Sequence, residues 1–206
     1  MQYPVYYMWN FKPDEKLETP GLSCIKHNTQ FYTKYTILGP QDIEPLLTPE
    51  LRDLWDKIPH WVIKADLGRL LYIYHHGGIY LDVDCSLRRR LPVVENEVIL
   101  FVEHVLPSVQ MLGPRECKDP DNVVRIANFA FGTAIPQHPF LKLVIDECVH
   151  RLQSLNQVTV SQSDILWVCG PDVITSIYHK TKKERDDICL LDKTYLTHLR
   201  HGSWRT

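Results

Sequence analysis

No Cys-x-x-Cys pair occurs in this chain. Its six cysteines, at positions 24, 85, 117, 148, 169 and 189, are scattered singly. That spacing argues against a cysteine metal site and suits reduced structural thiols in a cytosolic compartment. Long apolar runs are missing as well: none approaches the roughly 20 residues that a membrane span needs. The opening Met-Gln-Tyr-Pro-Val-Tyr-Tyr-Met-Trp has neither a basic n-region nor an extended apolar core, so it does not read as a secretory signal. Excess charge of one sign is lacking too. A formal net charge of −2 gives no electrostatic reason to expect nucleic acid or an anionic membrane as partner. There is no internal repeat and no low-complexity tract. What remains is an average globular composition, 44% hydrophobic and 23% charged over 206 residues, enough for a core of ordinary size. The expectation is one domain over residues 1–206, either whole or cut from a longer multi-domain chain.

Local patterns predict alternating strands and helices. Pro4 to Trp9 and Tyr35 to Leu38 are short, aromatic or β-branched, and read as strands. Residues 10–33 are polar and punctuated by proline and glycine, a loop with room for one helix. Thr48-Pro49-Glu50 combines an N-cap, a first-turn proline and an early acid, so a helix opens there and ends near Pro59. A second helix is expected over about 60–75, with Asp66 and Arg69 three residues apart on one face. Gly77-Gly78 ends it. Ile79 to Val83 and Val98 to Val102 have the continuous apolar pattern of central strands. Residues 107–127 read as a long exposed loop. Asn128 to Ile135 reads as a strand, Pro139 to about Leu155 as an amphipathic helix, Gly170-Pro171-Asp172 as the start of another, and Ile188 to Leu191 as a last strand. The tail from His198 shows no regular period. Such alternation implies an α/β fold with a mostly parallel sheet, whose ligands bind beyond the carboxyl ends of the strands.

Residues 64–84 are the most informative stretch. An apolar helix pattern carrying Asp66 and Arg69 is followed by Gly77-Gly78 and a short strand that ends in Asp82-Val83-Asp84. Two acids at the end of a buried strand repel each other and are costly to desolvate unless a cation lies between them. Mg²⁺ and Mn²⁺ are commonly held by one or two carboxylates together with phosphate oxygens. The pattern therefore predicts a divalent metal that grips a diphosphate.

Ala65-Asp66-x-x-Arg69 followed by Gly77-Gly78-Ile79-Tyr80-Leu81-Asp82-x-Asp84 resembles the core of glycosyltransferases with a DXD motif and a GT-A fold. The group is typified by the yeast α-1,6-mannosyltransferases and the glucosyltransferase domains of large clostridial toxins. Tyr7-Met8-Trp9, Asn128-Phe129-x-x-Gly132 with His138-Pro139-Phe140, Gly170-Pro171 and His201-Gly-Ser203-Trp204 match further motifs of that group in the same order. The resemblance implies transfer of a sugar from a nucleoside-diphosphate sugar to a glycan or protein acceptor, with Mn²⁺ or Mg²⁺ as cofactor. UDP-sugars are the favoured donors, with GDP-mannose next. It also implies retention of anomeric configuration, and a virus-encoded or bacterial origin for so compact and anchorless a domain.

Residue by residue, it implies that Asp84 ligates the metal and that Asp82 contacts the ribose and the metal. Asp66 would bind donor hydroxyls, and Arg69 would pair with Asp66 or reach the sugar and phosphate. Trp9 would pack near the base and Tyr80 would shape its pocket. His201 would be a third ligand or a phosphate contact. Ser203 and Trp204 would belong to a lid over the diphosphate. Glu103 and His104, at the end of the next strand, are candidates to face the acceptor by position alone.

Two other classes compete. Asp82-Val-Asp84-Cys-Ser86 is close to the D-x-D-x-T of haloacid-dehalogenase-type phosphohydrolases, with Asp186-Asp187 as the late acidic pair. That strand normally opens its fold, however, and here about 80 residues precede it. A catalytically silent nucleotide-sugar-binding module is the other alternative. The Arg88-Arg89-Arg90 run reads as a solvated loop, close enough to the paired acids to attract an anionic acceptor.

Overall fold

The computed structural model describes residues 3–12, 14, 16–111, 115, 119, 121–155 and 160–199. Eight strands are β1 (Val5–Met8), β2 (Tyr35–Leu38), β3 (Gly78–Leu81), β4 (Cys85–Leu87), β5 (Val98–Val105), β6 (Val124–Thr133), β7 (Ile188–Leu191) and β8 (Leu196–His198). Seven α-helices are α1 (Thr19–Asn28), α2 (Pro40–Ile43), α3 (Pro49–Lys57), α4 (Trp61–His76), α5 (Pro139–Gln153), α6 (Gln162–Val168) and α7 (Pro171–Thr181). Six strands form one sheet in the order β2-β1-β3-β6-β5-β7. β1 runs parallel to β2 and β3, β5 runs parallel to β7, and β6 is antiparallel to both β3 and β5. β6 alone is reversed, so the sheet is mostly parallel, as the alternating pattern implied.

Strand alternation places the core on both faces. Tyr80, Val98, Leu100 and Phe131 pack with α3 to α7 on one side. Their neighbours Ile79, Leu81, Ile99 and Phe101 pack on the other, against Ile25 of α1 and Leu87 and Leu196 of a small β4–β8 sheet. A period of two with both sets buried is what a central sheet requires.

The helix that leads into the paired acids is built for a sharp reversal. His60 caps α4 through Nδ1, which accepts from the Val62 amide at 3.3 Å. Gly77 and Gly78 then have φ of 68° and 91°, a region that side chains rarely tolerate. A Cβ on Gly78 would lie 2.8 Å from the Pro4 carbonyl. The turn thus brings α4 straight into β3 with no intervening loop.

Several boundaries differ from expectation. β3 ends at Leu81, not Val83. The Asp82 amide still donates to the Phe129 carbonyl at 2.7 Å, but the Cys85 amide then donates to Asp82 O at 2.9 Å, closing a turn that lifts Val83 and Asp84 out of the sheet. β5 runs on to Val105 and β6 begins at Val124, each beyond its apolar run. Polar residues are tolerated there because Glu103, His104 and Arg125 face a cavity, not the core. The polar stretch 10–33 contains α1. His198 ends strand β8, although the tail pattern gave no sign of it.

Candidate active site

A cavity of about 630 Å³ opens at the carboxyl end of the sheet, where open α/β sheets bind ligands. The loop after β1 contributes Trp9, α4 contributes Asp66 and Arg69, and β3 with its turn contributes Tyr80, Asp82 and Asp84. The reversed strand β6 presents its amino-terminal half at this end, adding Arg125, Asn128 and Phe129. β5 shifts register against β6 between Leu100 and His104. Bulges commonly re-aim side chains beside sites, and here Glu103 and His104 both reach the wall. Eight of the residues singled out in the sequence (Trp9, Asp66, Arg69, Tyr80, Asp82, Asp84, Glu103 and His104) therefore line one cavity. His201, Ser203 and Trp204 lie outside the described residues.

Arg69 organises the floor. Its guanidinium forms ion pairs with Asp66 and, at 2.7 Å, with Asp82. Nη1 also donates to the Asn128 carbonyl at 3.1 Å, and the group sits 4.9 Å from the Tyr80 ring centroid. The Tyr80 hydroxyl donates to Asp82. Burial keeps that phenol neutral, raising it well above the usual range, so it acts as a donor. Asn128 Nδ2 lies 3.4 Å from Asp66 Oδ1. Burial raises Asp82 above an ordinary carboxylate; the Arg69 charge opposes this and the Asp84 charge adds to it.

Repulsion alone would leave both acids waiting for a dication. The structure amends it: Asp82 already has Arg69, and Asp84 has a histidine. His198 Nε2 lies 3.3 Å from Asp84 Oδ1. The imidazole stacks on Phe129, with centroids 4.0 Å apart. Burial disfavours its charge, but the bond to Asp84 and the nearby carboxylates outweigh this and raise its pKa. His198 reaches Asp84 because β8 pairs with β4, Cys85 opposite His198, and no local sequence signal announces that pairing.

Asp84, Cys85 and His198 bring one ligand atom each within 4.8 Å of one another. The donor set suits a metal of intermediate hardness. Carboxylate oxygens suit Mg²⁺ or Mn²⁺, and an imidazole extends the range to softer divalent ions. Cys85 is buried, and burial raises its thiol well above the ordinary range. Its Sγ lies 3.6 Å from the Phe129 carbonyl, so it packs as a protonated side chain. Among the described residues, His198 Nδ1 is buried with no hydrogen-bond partner.

Behind Glu103 stands a second charged cluster that the sequence did not single out. Arg125 Nε donates to Glu103 Oε2 at 3.0 Å, and its Nη2 lies 2.6 Å from Asp172 Oδ1. Asp172 sits in the first turn of α7, where an acid complements the helix dipole. Asp186 and Asp187, the late acids of the phosphohydrolase alternative, line neither this cavity nor its smaller neighbour.

Residues 16–104 match the family described as the glycosyltransferase sugar-binding region containing the DXD motif. That span is similar to a DXD-motif glycosyltransferase region. An uncharacterized glycosyltransferase of Acanthamoeba polyphaga mimivirus is 28% identical over 148 residues, 72% of this chain and 51% of that protein. Inositol phosphoceramide mannosyltransferase 2 of Schizosaccharomyces pombe is 27% identical over 132 residues, 63% of this chain and 32% of the yeast protein. The chain thus spans about half the length of the first relative and a third of the second. The solved structure of PaToxG glycosyltransferase superposes with a TM-score of 0.61 at 13% identity, covering 90% of this chain and 71% of that one. The fold is that of the GT-A glycosyltransferases. Among the described residues, no helix is long and apolar enough to cross a membrane.

Proposed function

We propose that this chain is a metal-dependent glycosyltransferase that moves a sugar from a nucleoside-diphosphate sugar to a hydroxyl of a glycan or protein, with retention. One observation carries the reading: Asp66, Arg69, Asp82 and Asp84 converge on one cavity wall at the carboxyl end of the sheet. Asp84 and His198, with Asp82 beside them, would hold Mn²⁺. The metal supplies positive charge against the leaving diphosphate as the glycosidic bond breaks. Asp66, fixed by Arg69, offers carboxylate oxygens to donor hydroxyls. Trp9 and Tyr80 supply aromatic surface for the base. Glu103, held by Arg125, faces the acceptor, with His104 next to it. By the family resemblance, His201 would contact the metal or phosphate, and Ser203 and Trp204 would help exclude water, the competing acceptor.

UDP-sugars are the first donors to test. GDP-mannose is next, and the mannosyltransferase name of the yeast relative adds weight to it. All 206 residues act as one GT-A domain in this reading. The five cysteines among the described residues are free, which supports a reducing compartment such as the cytosol.

The test is calorimetric titration of UDP and GDP with and without Mn²⁺, followed by donor turnover. Binding should require the metal, and Asp84→Ala should abolish the metal-dependent part while the melting profile stays cooperative. Donor hydrolysis by Asp84→Ala at the wild-type rate would contradict the metal assignment. Tight nucleotide binding without any turnover would leave only a sugar-nucleotide-binding module.

A further inference from the structure

A smaller cavity of about 190 Å³ lies on the far side of His198. Arg88, Lys193, Thr197 and His198 contribute to its wall. Glu103, Phe129 and His198 line both cavities, so the two share a wall. The small pocket is built on the β4–β8 sheet that also carries the paired acids' turn. Arg88 directly follows β4, and its amide donates to Tyr195 O at 2.8 Å. Its Nε donates to Thr197 Oγ1 at 2.7 Å, which leaves the two terminal nitrogens as a fork for a further acceptor. Lys193 Nζ stands 3.3 Å from His104 Nδ1, at the edge of the main cavity.

Two carboxylates also line the pocket, and each is engaged. Glu103 is held by Arg125 at 3.0 Å. Asp192 accepts from the Thr194 amide at 2.9 Å and from its hydroxyl at 2.5 Å, with Arg89 Nη2 at 3.9 Å. Arg89 itself stacks on Tyr195, 3.7 Å from the ring centroid, and bonds Thr194. Its charge partly offsets that of Asp192, 3.9 Å away. The result is an arginine fork and a lysine at a small polar recess. A fixed fork matches the oxygens of a phosphate, and an ammonium adds a point charge. Arg88 lies four residues beyond Asp84, at most about 13 Å along an extended chain. A group anchored in the recess can thus present a neighbouring hydroxyl to the main cavity.

We propose that this recess is an acceptor subsite for a phosphate ester, so that the acceptor is a phosphorylated hydroxyl compound. Arg88 and Lys193 bind the phosphate, while Glu103 receives the hydroxyl end. The assignment rests on the glycosyltransferase reading and deepens it by naming the acceptor's chemistry.

The experiment separates the two. Inorganic phosphate and mannose 6-phosphate are titrated into the protein at low salt, alone and after saturation with Mg²⁺ and whichever nucleotide binds. The comparison is Arg88→Gln/Lys193→Gln, in which both altered side chains are exposed and a wild-type melting profile is the control for folding. Both phosphate compounds should bind the wild type, with or without nucleotide, and neutral mannose should not. Affinity should fall about tenfold or more in the double variant, since two charge-assisted contacts are lost, while nucleotide affinity stays at its wild-type value. Three results would overturn the subsite: no phosphate binding, equal binding by the double variant, or displacement of phosphate by nucleotide. The last would return the recess to the diphosphate. Failure of every nucleotide to bind, with phosphate still bound through Arg88 and Lys193, would instead remove the transferase reading and leave an anion site.

Discussion

Arg69 is the residue on which the proposed donor site turns. A buried guanidinium between two carboxylates and over an aromatic ring fixes three side chains at once, and its planar fork is what allows it. Lysine keeps the charge but offers a single point that cannot bridge Asp66 and Asp82 in those directions. Arg69→Lys should fold and should bind metal through Asp84, yet lose about a hundredfold in kcat/KM for donor turnover, the scale on which misdirected electrostatic groups cost rate. Steady-state kinetics decide it: a change of less than about threefold would mean that charge alone, not the fork, is what the site requires. The same residue explains why the simple repulsion argument for Asp82 and Asp84 was incomplete. A partner thirteen residues upstream in sequence, visible only as a helical i, i+3 neighbour of Asp66, already balances one of the acids.

At the scale of elements, the close approach of β3 and β6 sets where the acids emerge. Gly132 lies opposite Ile79 on one side and Ile99 on the other. A Cβ there would lie 2.4 Å from the Gly78 carbonyl oxygen and 2.9 Å from Ile79 Cα. Neither is a flexible side-chain end, so the strands must part. Gly132→Ala should destabilise by about 1–3 kcal/mol, the range for overpacking a close-packed core, as read from urea unfolding. An unfolding midpoint equal to wild type would show that the strands separate at no cost. The glycine pair at the end of α4 has a different origin, since two successive positive φ values take the chain from helix to strand with no loop. Together these glycines place the Asp82 turn at the rim of the cavity.

For the whole molecule, one carboxylate ties the sheet edge to a helix start. Asp187, just before β7, is bonded by Arg185 Nε at 2.7 Å and lies 3.5 Å from Nε2 of His138, the N-cap of α5. The hydrogen bond from Arg185, aided by its charge and that of His138 against partial burial, lowers the Asp187 pKa. A lowered carboxylate stabilises the fold at pH above the ordinary value of about 4, and the contribution is lost as pH falls through the folded pKa. Asp187→Asn should therefore be less stable than wild type at pH 7, with the gap closing below pH 4 in denaturant titrations. A gap that stays constant down to pH 2.5 would show that the ionisation plays no part.

Periodicity and glycine punctuation alone determined the α/β class, the helix bearing Asp66 and Arg69, and the apolar strand before Asp82, because each rests on contacts within about ten residues. The DXD motif likewise marked the two acids at the cavity without any coordinates. Which groups neutralise those acids was decided only by tertiary structure. His198 reaches Asp84 through pairing of strands more than a hundred residues apart, and Arg125 reaches Glu103 and Asp172 across three elements. The small recess beside Arg88 exists only because β4 and β8 meet. Local patterns report which side chains share a face, whereas charge balance at a site is set by whatever the folded chain brings within a few ångströms, and a single short strand with no period of its own leaves no trace of that in the sequence.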